Sequence, residues 1–298
     1  FLIFLLVILI YHVTLGGNLT ILLLVCLDSQ LHTPMYFFLC NLSILNISST
    51  TITLHKIIAI FITGDNNVSF IACMAQVYVF TWLCGNELVL LTAMSYDRYV
   101  AICNPLHYST VMNSRVCAAL ATFCWTFSLV QILPAMIILT RFSCYTSNKI
   151  DHFFCEILGL MNISCSDTFM LQMLMFTEGV LLSTFTPFLL TFISYSFIIA
   201  TIMRIKTSTG RSKAFYTCSS HLTLVAIQYS TIACQYLTPS GTFKSGKFLS
   251  MFNTAVVPML NPFIYSLKNR DVKSAFQRKI KYITTIVVKE NGHLGRRT

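Results

Sequence analysis

Met94-Ser95-Tyr96-Asp97-Arg98-Tyr99-Val100-Ala101-Ile102-Cys103-Asn104-Pro105 closes a long apolar run, Ile71 to Ala93, whose one acid is Glu87. An Asp-Arg pair at the end of a membrane-length helix is unusual. Ionisable groups at membrane depth cost about 2.5–3.5 kcal/mol each on insertion scales, so they persist mostly where they pair or work. Asp97 is placed to neutralise Arg98 and hold it at the membrane face until something displaces it. The alternative for this tripeptide alone is a cytoplasmic helix end with a snorkelling arginine.

The remainder of the chain bears on that choice. Of 298 residues, 55% are hydrophobic and 10% charged, and the mean hydropathy is +0.72. A soluble domain carries about 25% charged residues, so this is an integral membrane protein. The formal net charge is +10. A uniformly basic surface would suggest nucleic acid, whereas a one-sided distribution reports membrane orientation. Several of the 12 cysteines lie in apolar runs, where a thiol acts as a small hydrophobe. Cys144, Cys155 and Cys165 share one polar loop, where a disulfide forms if that loop is outside the cell.

Runs of roughly 20 mostly apolar residues mark spanning helices. They are expected at about 1–27, 35–60, 71–98, 116–139, 171–203, 214–237 and 248–267. The first opens without an initiator Met, a charged leader or a small-residue cleavage site. It is expected to be a true span, with an outer N-terminal segment missing, and not a signal peptide. The longest polar connection is Thr140–Thr168; Pro187 interrupts the fifth span, and Arg204–Lys213 reads as a basic turn. After the seventh span, Val272, Ala275, Phe276 and Ile280 recur at helical spacing, which predicts a short amphipathic helix over about 269–282 lying on the membrane. The expectation is an all-α membrane protein: one domain over 1–298, a seven-transmembrane-helix bundle with a short amphipathic C-terminal helix.

Seven spans put the termini on opposite sides. With the N-terminus outside, 15 of the 20 Lys and Arg fall on the inner side, leaving Lys56, Arg141, Lys149, Lys244 and Lys247 outside. The positive-inside rule favours that orientation, with a cytoplasmic tail. It also places the three-cysteine loop in the oxidising compartment. No internal repeat suggests an inverted-repeat transporter. No nucleotide loop, zinc spacing or nucleophile-base set is present, so an enzyme is not expected.

Four stretches then carry a family resemblance: Leu31-His32-Thr33-Pro34-Met35-Tyr36-Phe37-Phe38-Leu39; Met94–Pro105; Lys213-Ala214-Phe215 with Thr217-Cys218-Ser219-Ser220-His221-Leu222; and Pro258-Met259-Leu260-Asn261-Pro262-Phe263-Ile264-Tyr265-Ser266-Leu267. In this order, each at the right end of the right span, they resemble the rhodopsin-like G-protein-coupled receptors and, within them, the olfactory (odorant) receptors. Ser95 and Tyr216 stand where that family more often has Ala and Ser, near the cytoplasmic side where they could alter basal activity.

The resemblance implies a G-protein switch at Asp97, Arg98 and Tyr99. Asp97 holds Arg98 at rest; in the active form the sixth helix swings out and Arg98 meets the G protein. Tyr195 and Tyr265 are candidates to bridge to Arg98 when the bundle opens. Pro187 and Pro262 supply helix interruptions, because proline removes a backbone donor. Asn18, Asn46, Glu87 and Asn261 are expected to form a mid-membrane polar cluster. The family usually has Asp where Asn46 stands, which leaves Glu87 to carry any sodium or proton coupling; the alternative is a neutral Glu hydrogen-bonded in the core. No other cofactor is expected.

The resemblance also implies a disulfide between Cys73 and Cys155, with a second bridge expected between Cys144 and Cys165; spacing alone does not fix the pairing. His152-Phe153-Phe154-Cys155-Glu156 matches a metal motif proposed for some odorant receptors. A disulfide-held Cys155 is a poor ligand, and no metal is expected. Asn67-Val68-Ser69 and Asn162-Ile163-Ser164 are outer-side glycosylation sequons, whereas those at Asn18 and Asn41 lie within spans and should stay bare.

By the family's geometry a ligand site is lined by Phe80, Thr81, Cys84 and Gly85, facing Gly179 and Ser183, with Tyr229, Ile232, Ala233, Tyr236, Met251 and Thr254 completing the wall. This lining is apolar with a few hydroxyls, which fits a small, mostly apolar or weakly polar ligand. Phe80 stands where amine receptors carry Asp, which argues against a biogenic amine. No Lys occurs between Phe248 and Leu267, so no retinal Schiff base can form there. The expected partners are a small odorant, membrane lipid and a stimulatory, olfactory-class heterotrimeric G protein that raises cyclic AMP, at the plasma membrane and without nucleic acid. The rival readings are a chemoreceptor for a non-odour ligand outside the nose, and a channel or transporter. The latter would need a continuous polar path, and beside Glu87 no second line of charges exists.

Overall fold

The structure, a computed structural model, describes residues 2–237, 243–268 and 271–281; a few side chains within those stretches, that of Tyr236 among them, are outside the description. Among the described residues the regular structure is helical, with a single isolated bridge between Tyr145 and Ser164. Seven long helices follow one another: Leu2–Leu27, Pro34–Thr63, Phe70–Cys103, Ser114–Leu139, Phe169–Arg204, Ser208–Leu237, and a seventh in three consecutive segments, Phe243–Met251, Phe252–Val256 and Val257–Lys268. A further helix covers residues 271–281; the expected ends of that tail helix, at 269–270 and 282, lie outside the described residues.

The first five helices are long and apolar enough to cross a membrane by length and composition. The sixth and seventh are more polar. The sixth already begins at Ser208, so most of the expected basic turn is helix and only Ile205–Thr207 is not. The first helix shows the pattern a lipid-embedded bundle requires. Val7, Ile10, Thr14, Asn18, Ile21 and Val25 are buried at three- and four-residue spacing, while Leu2, Leu9 and Leu23 on other faces are exposed. Such apolar exposure would be an aggregation liability in water and is the ordinary outer surface in lipid.

Local signals start and stop these helices. His32 Nε2 donates to the Val25 carbonyl at 2.9 Å, satisfying an orphan acceptor at the end of the first helix, and Pro34 opens the second. Gly64, at φ 72°, ends the second helix in the left-handed conformation that favours glycine. Ser69 Oγ accepts from the Ala72 N–H at 3.2 Å and caps the third. That third helix has 34 residues, or about 51 Å at 1.5 Å per residue. It outruns a hydrocarbon core of about 30 Å, so its end can stand clear of lipid.

The third helix packs against the second, fourth, fifth and sixth. Trp125 Nε1 donates to Asn41 Oδ1 and Trp82 Nε1 to the Trp125 carbonyl, each at 3.0 Å, tying the second, third and fourth helices together. Seventh and first helices meet at Gly17, where an added Cβ would lie 2.8 Å from Pro262 Cγ. A large cluster of buried apolar residues holds Leu31, Phe38, Leu91, Met94 and Tyr265, and Val272 and Ala275 of the tail helix join it. Arg278 clamps that helix to Asp28, with Nη2 to Oδ2 at 2.7 Å, while Tyr36 donates to Asp271 at 3.3 Å. The Arg278 hydrogen bond holds the Asp28 carboxyl below the usual carboxylate range. Phe276 and Ile280 remain exposed.

Candidate functional site

Near that cluster, Asp97 is fully buried and Arg98 is 8% exposed. Arg98 donates to Asp97 Oδ2 from Nε at 2.9 Å and also from Nη2. The other carboxylate oxygen, Oδ1, accepts from the Tyr108 hydroxyl at 2.8 Å. Tyr108 opens the short helix Tyr108–Val111 in the loop after the third helix. A charge pair this deep needs its remaining lone pairs satisfied, and Tyr108 does that.

Beside it, Tyr195 of the fifth helix shares a 2.7 Å hydrogen bond with His221 Nδ1 of the sixth, the rings stacked at 15°. Tyr195 clusters with Ile198, Ile202 and Cys218, and Tyr99 packs against that cluster. The Tyr265 hydroxyl is buried without a hydrogen-bond partner. Neither tyrosine bonds Arg98 in this conformation.

Deeper in the bundle, Asn261 Nδ2 donates to Asn46 Oδ1 at 3.0 Å, and Asn46 Nδ2 to Asn18 Oδ1 at 3.1 Å. Asn18 Nδ2 reaches the Thr14 and Pro258 carbonyls at 2.8 and 3.3 Å. This relay joins the first, second and seventh helices. It does not include Glu87, which corrects the expectation of one four-residue cluster. Glu87 Oε2 accepts from Gln228 Nε2 of the sixth helix at 3.4 Å, and Oε1 is buried without a hydrogen-bond partner. The face of the third helix that carries Glu87 turns toward the sixth.

Above that level the bundle opens into a cavity of about 230 Å³. Phe80, Thr81, Cys84, Gly85, Gly179, Ser183, Ile232 and Thr254 line it. Other expected wall residues lie elsewhere. Tyr229 and Ala233 line a separate crevice between the fifth and sixth helices, with Phe188 and Phe192. Met251 packs beside Val7, Ile10, Leu54 and Ala255. The side chain of Tyr236 is outside the described residues.

Two π-helical stretches, Met175–Phe185 and Phe252–Val256, both contribute to the lining. Their wider turns re-aim side chains relative to a 3.6-residue register, as π segments at functional sites do. Thr184 Oγ1 donates to the Gly179 carbonyl and Thr186 Oγ1 to the Leu181 carbonyl, both at 2.9 Å and five residues back, supplying acceptors in the first stretch with donors. The fourth helix adds Ser128, Gln131, Ile132 and Ala135, which helical spacing back from Arg98 could not find.

The loop after the fourth helix roofs the cavity. Cys73 is disulfide-bonded to Cys155, and Cys144 to Cys165, so Cys155 is unavailable to a metal. The Cys155 N–H donates to Gln76 Oε1 at 2.9 Å, and Gln76 Nε2 to the Ile52 carbonyl at 2.8 Å. Phe154 packs edge-on against Phe80 with centroids 4.7 Å apart. His152 Nε2 lies 3.6 Å from Glu156 Oε1, and Lys247 of the seventh helix pairs with Asp151. Burial pushes the Glu156 carboxyl up to about 7. Burial, with Lys247 adding to it, pushes His152 down to about 4. Glu156 and Glu178 give the cavity more polar character than the apolar wall read from sequence. The sequon residues Asn67 and Asn162 are exposed, whereas Asn18 is buried and Asn41 is engaged by Trp125.

A bundle of seven helices with a buried ion pair at one end and a roofed cavity toward the other is the architecture of rhodopsin-like receptors. The chain superposes on the crystal structure of squid rhodopsin with a TM-score of 0.70 and 18% identity, covering 95% of this chain and 85% of that one. At that identity the likeness is one of fold. The family model described as olfactory receptor matches residues 7–282. Olfactory receptor 6C1 of Homo sapiens is 44% identical over 288 residues, 95% of this chain and 92% of its own length. Olfactory receptor 5AR1 of Mus musculus is 43% identical over 279 residues, 93% and 90% of the two chains. The chain belongs to the olfactory receptor family. It is accordingly a multi-pass plasma-membrane receptor for a small molecule, with a G protein as partner, and not an enzyme.

Proposed function

We propose that this chain is an odorant receptor in which a small volatile or weakly polar molecule occupies the cavity and a stimulatory, olfactory-class G protein is activated, raising cyclic AMP. The N-terminus lies outside and the tail helix on the cytoplasmic membrane surface, as the distribution of Lys and Arg favours. The observation that carries the reading is that two helices each reach both ends of the machine. On the third, Cys84 at the cavity and Arg98 at the ion pair are 14 residues apart, about 21 Å along the axis. On the sixth, Gln228 and Ile232 border the cavity while Cys218 and His221 lie beside Tyr195.

A ligand touching the upper sixth helix biases where its lower end sits. Outward movement there separates His221 from Tyr195 and frees Tyr195 and Tyr265 to approach Arg98. A ligand shifts such an equilibrium only by its differential affinity for the two states, and the discrete Tyr195–His221 and Asp97–Arg98 contacts give the element two states to choose between. Glu87, with an unpartnered buried oxygen on the path between the two ends, is the group at which a sodium ion or a proton would bias the same equilibrium. Glu87→Gln should abolish sodium and pH responses; unchanged responses would contradict that role.

The test of the whole is a cyclic AMP reporter in cells exposed to odorant mixtures. A response that Gly179→Phe removes at equal surface level supports the reading, because Gly179 lines the cavity and has open space where a side chain would begin. A response untouched by Gly179→Phe contradicts it.

A further inference from the structure

The cavity wall offers acceptors and few donors. Among the described residues the acidic side chains in its lining are Glu156 at the roof and Glu178 on the fifth helix, and no lysine, arginine or histidine lines it. Two amide oxygens add to them: Gln228 Oε1 and Asn253 Oδ1 are buried and without hydrogen-bond partners. Gln228 turns its Nε2 toward Glu87 Oε2, which leaves Oε1 as the unmet atom.

Four of the wall hydroxyls already donate within the protein. Ser128 Oγ donates to the Cys124 carbonyl, Thr254 Oγ1 to the Ser250 carbonyl and Thr184 Oγ1 to the Gly179 carbonyl. Ser183 Oγ donates to Gln131 Oε1, whose Nε2 in turn donates to the Glu178 carbonyl. An anionic guest would face two acidic side chains, with most of the wall hydroxyls already donating elsewhere. A guest carrying a donor would satisfy atoms that are otherwise unmet, and a buried polar atom left unmet is destabilising.

Resting on the cavity as the ligand site, we propose that this receptor selects small ligands bearing a hydrogen-bond donor, a hydroxyl or a protonated amine, and rejects carboxylic acids of the same skeleton. The carboxylate that receives the ligand comes from the roofing loop and the fifth helix. The third helix presents Phe80 at the position where amine receptors carry an acid. At about 230 Å³ the cavity lies below the roughly 300–1,000 Å³ usual for larger ligands, so the guest is small.

The experiment uses the full chain purified into nanodiscs, with thermal stabilisation as the readout. The probes are 1-octanol, octylamine and octanoic acid, together with 2-phenylethanol, 2-phenylethylamine and phenylacetic acid. The alcohol or amine of at least one set is expected to bind at least about tenfold more tightly than its acid, the lower end of what a hydrogen bond to a charged acceptor contributes. The Glu156→Gln, Glu178→Gln double variant, whose unliganded melting temperature reports its folding, is expected to narrow that gap by a similar factor. An acid that binds wild type as tightly as its alcohol and amine overturns the inference, as does an unchanged gap in the double variant. Binding that Gly179→Phe leaves intact instead overturns the cavity as the ligand site, so the two failures are told apart.

Discussion

Tyr108 donates to one oxygen of the Asp97 carboxylate while Arg98 holds the other, so a residue of the loop after the third helix shares the acid that restrains the arginine. Hydrogen bonds to charged groups contribute about 1.5–3 kcal/mol. Tyr108→Phe keeps the ring and removes that bond, loosening Asp97 and hence Arg98. Basal nucleotide exchange on purified G protein should rise several-fold without ligand. An unchanged basal rate at equal receptor concentration would show that Tyr108 does not share in the restraint.

The meeting of Gly17 with Pro262 sets how closely the seventh helix approaches the first. A methyl there collides with a ring that is itself part of the helix backbone and cannot swing aside. Gly16, one residue earlier, has nothing within 4 Å of an added Cβ. Both Gly→Ala changes share the same helix-propensity gain of up to about 1 kcal/mol, so their difference isolates the contact. Gly17→Ala should be less stable than Gly16→Ala by about 1–3 kcal/mol, the usual range for overpacking. Equal melting temperatures would mean that the two helices are not held at this distance.

Much of this arrangement is legible from residue order, and the exceptions have physical causes. Asp97 and Arg98 are adjacent on one helix, so their pairing is a local property. The asparagine relay needed only three polar residues in apolar runs with nowhere else to go. Glu87 bonds Gln228 and stands apart from the asparagine relay, because depth in the membrane tells which residues share a level, not which neighbouring helix each one meets. Met251 packs against the first and second helices and not on the cavity, a choice of neighbour that residue order does not carry. Gln131 and Glu156 reach the cavity through the fourth helix and a disulfide-pinned loop, both long-range outcomes that local sequence does not announce. His221 was in view as part of a motif. Its bond to Tyr195 is a tertiary contact between residues 26 apart, and nothing local announces it.

The roofing loop should respond to pH through Glu156. Its carboxyl, raised from 4.5 to about 7, keeps its proton in the folded state after the unfolded chain has lost it. Across that window the unfolded state binds fewer protons, so stability falls as pH rises. His152, lowered from 6.5 to about 4, acts oppositely, its contribution rising with pH between those values. Above about pH 7 His152 is neutral in both states, so there the comparison of wild type with Glu156→Gln reports the carboxyl. The stability advantage of Glu156→Gln should grow as pH rises from about 5 to about 8. An advantage that stays flat or shrinks would mean that the carboxyl is not buried as described.

The most direct measurement is ligand-stimulated nucleotide exchange by Arg98→Ala, in parallel with ligand binding to the same preparation. Removing one partner leaves Asp97 buried and uncompensated, which costs about 3–5 kcal/mol in such pairs, so retained ligand binding serves as the proof of folding. A receptor that still binds its ligand but no longer drives exchange is the expected result. Wild-type exchange from Arg98→Ala would contradict the account, because the guanidinium restrained by Asp97 would then have no part in passing the signal on.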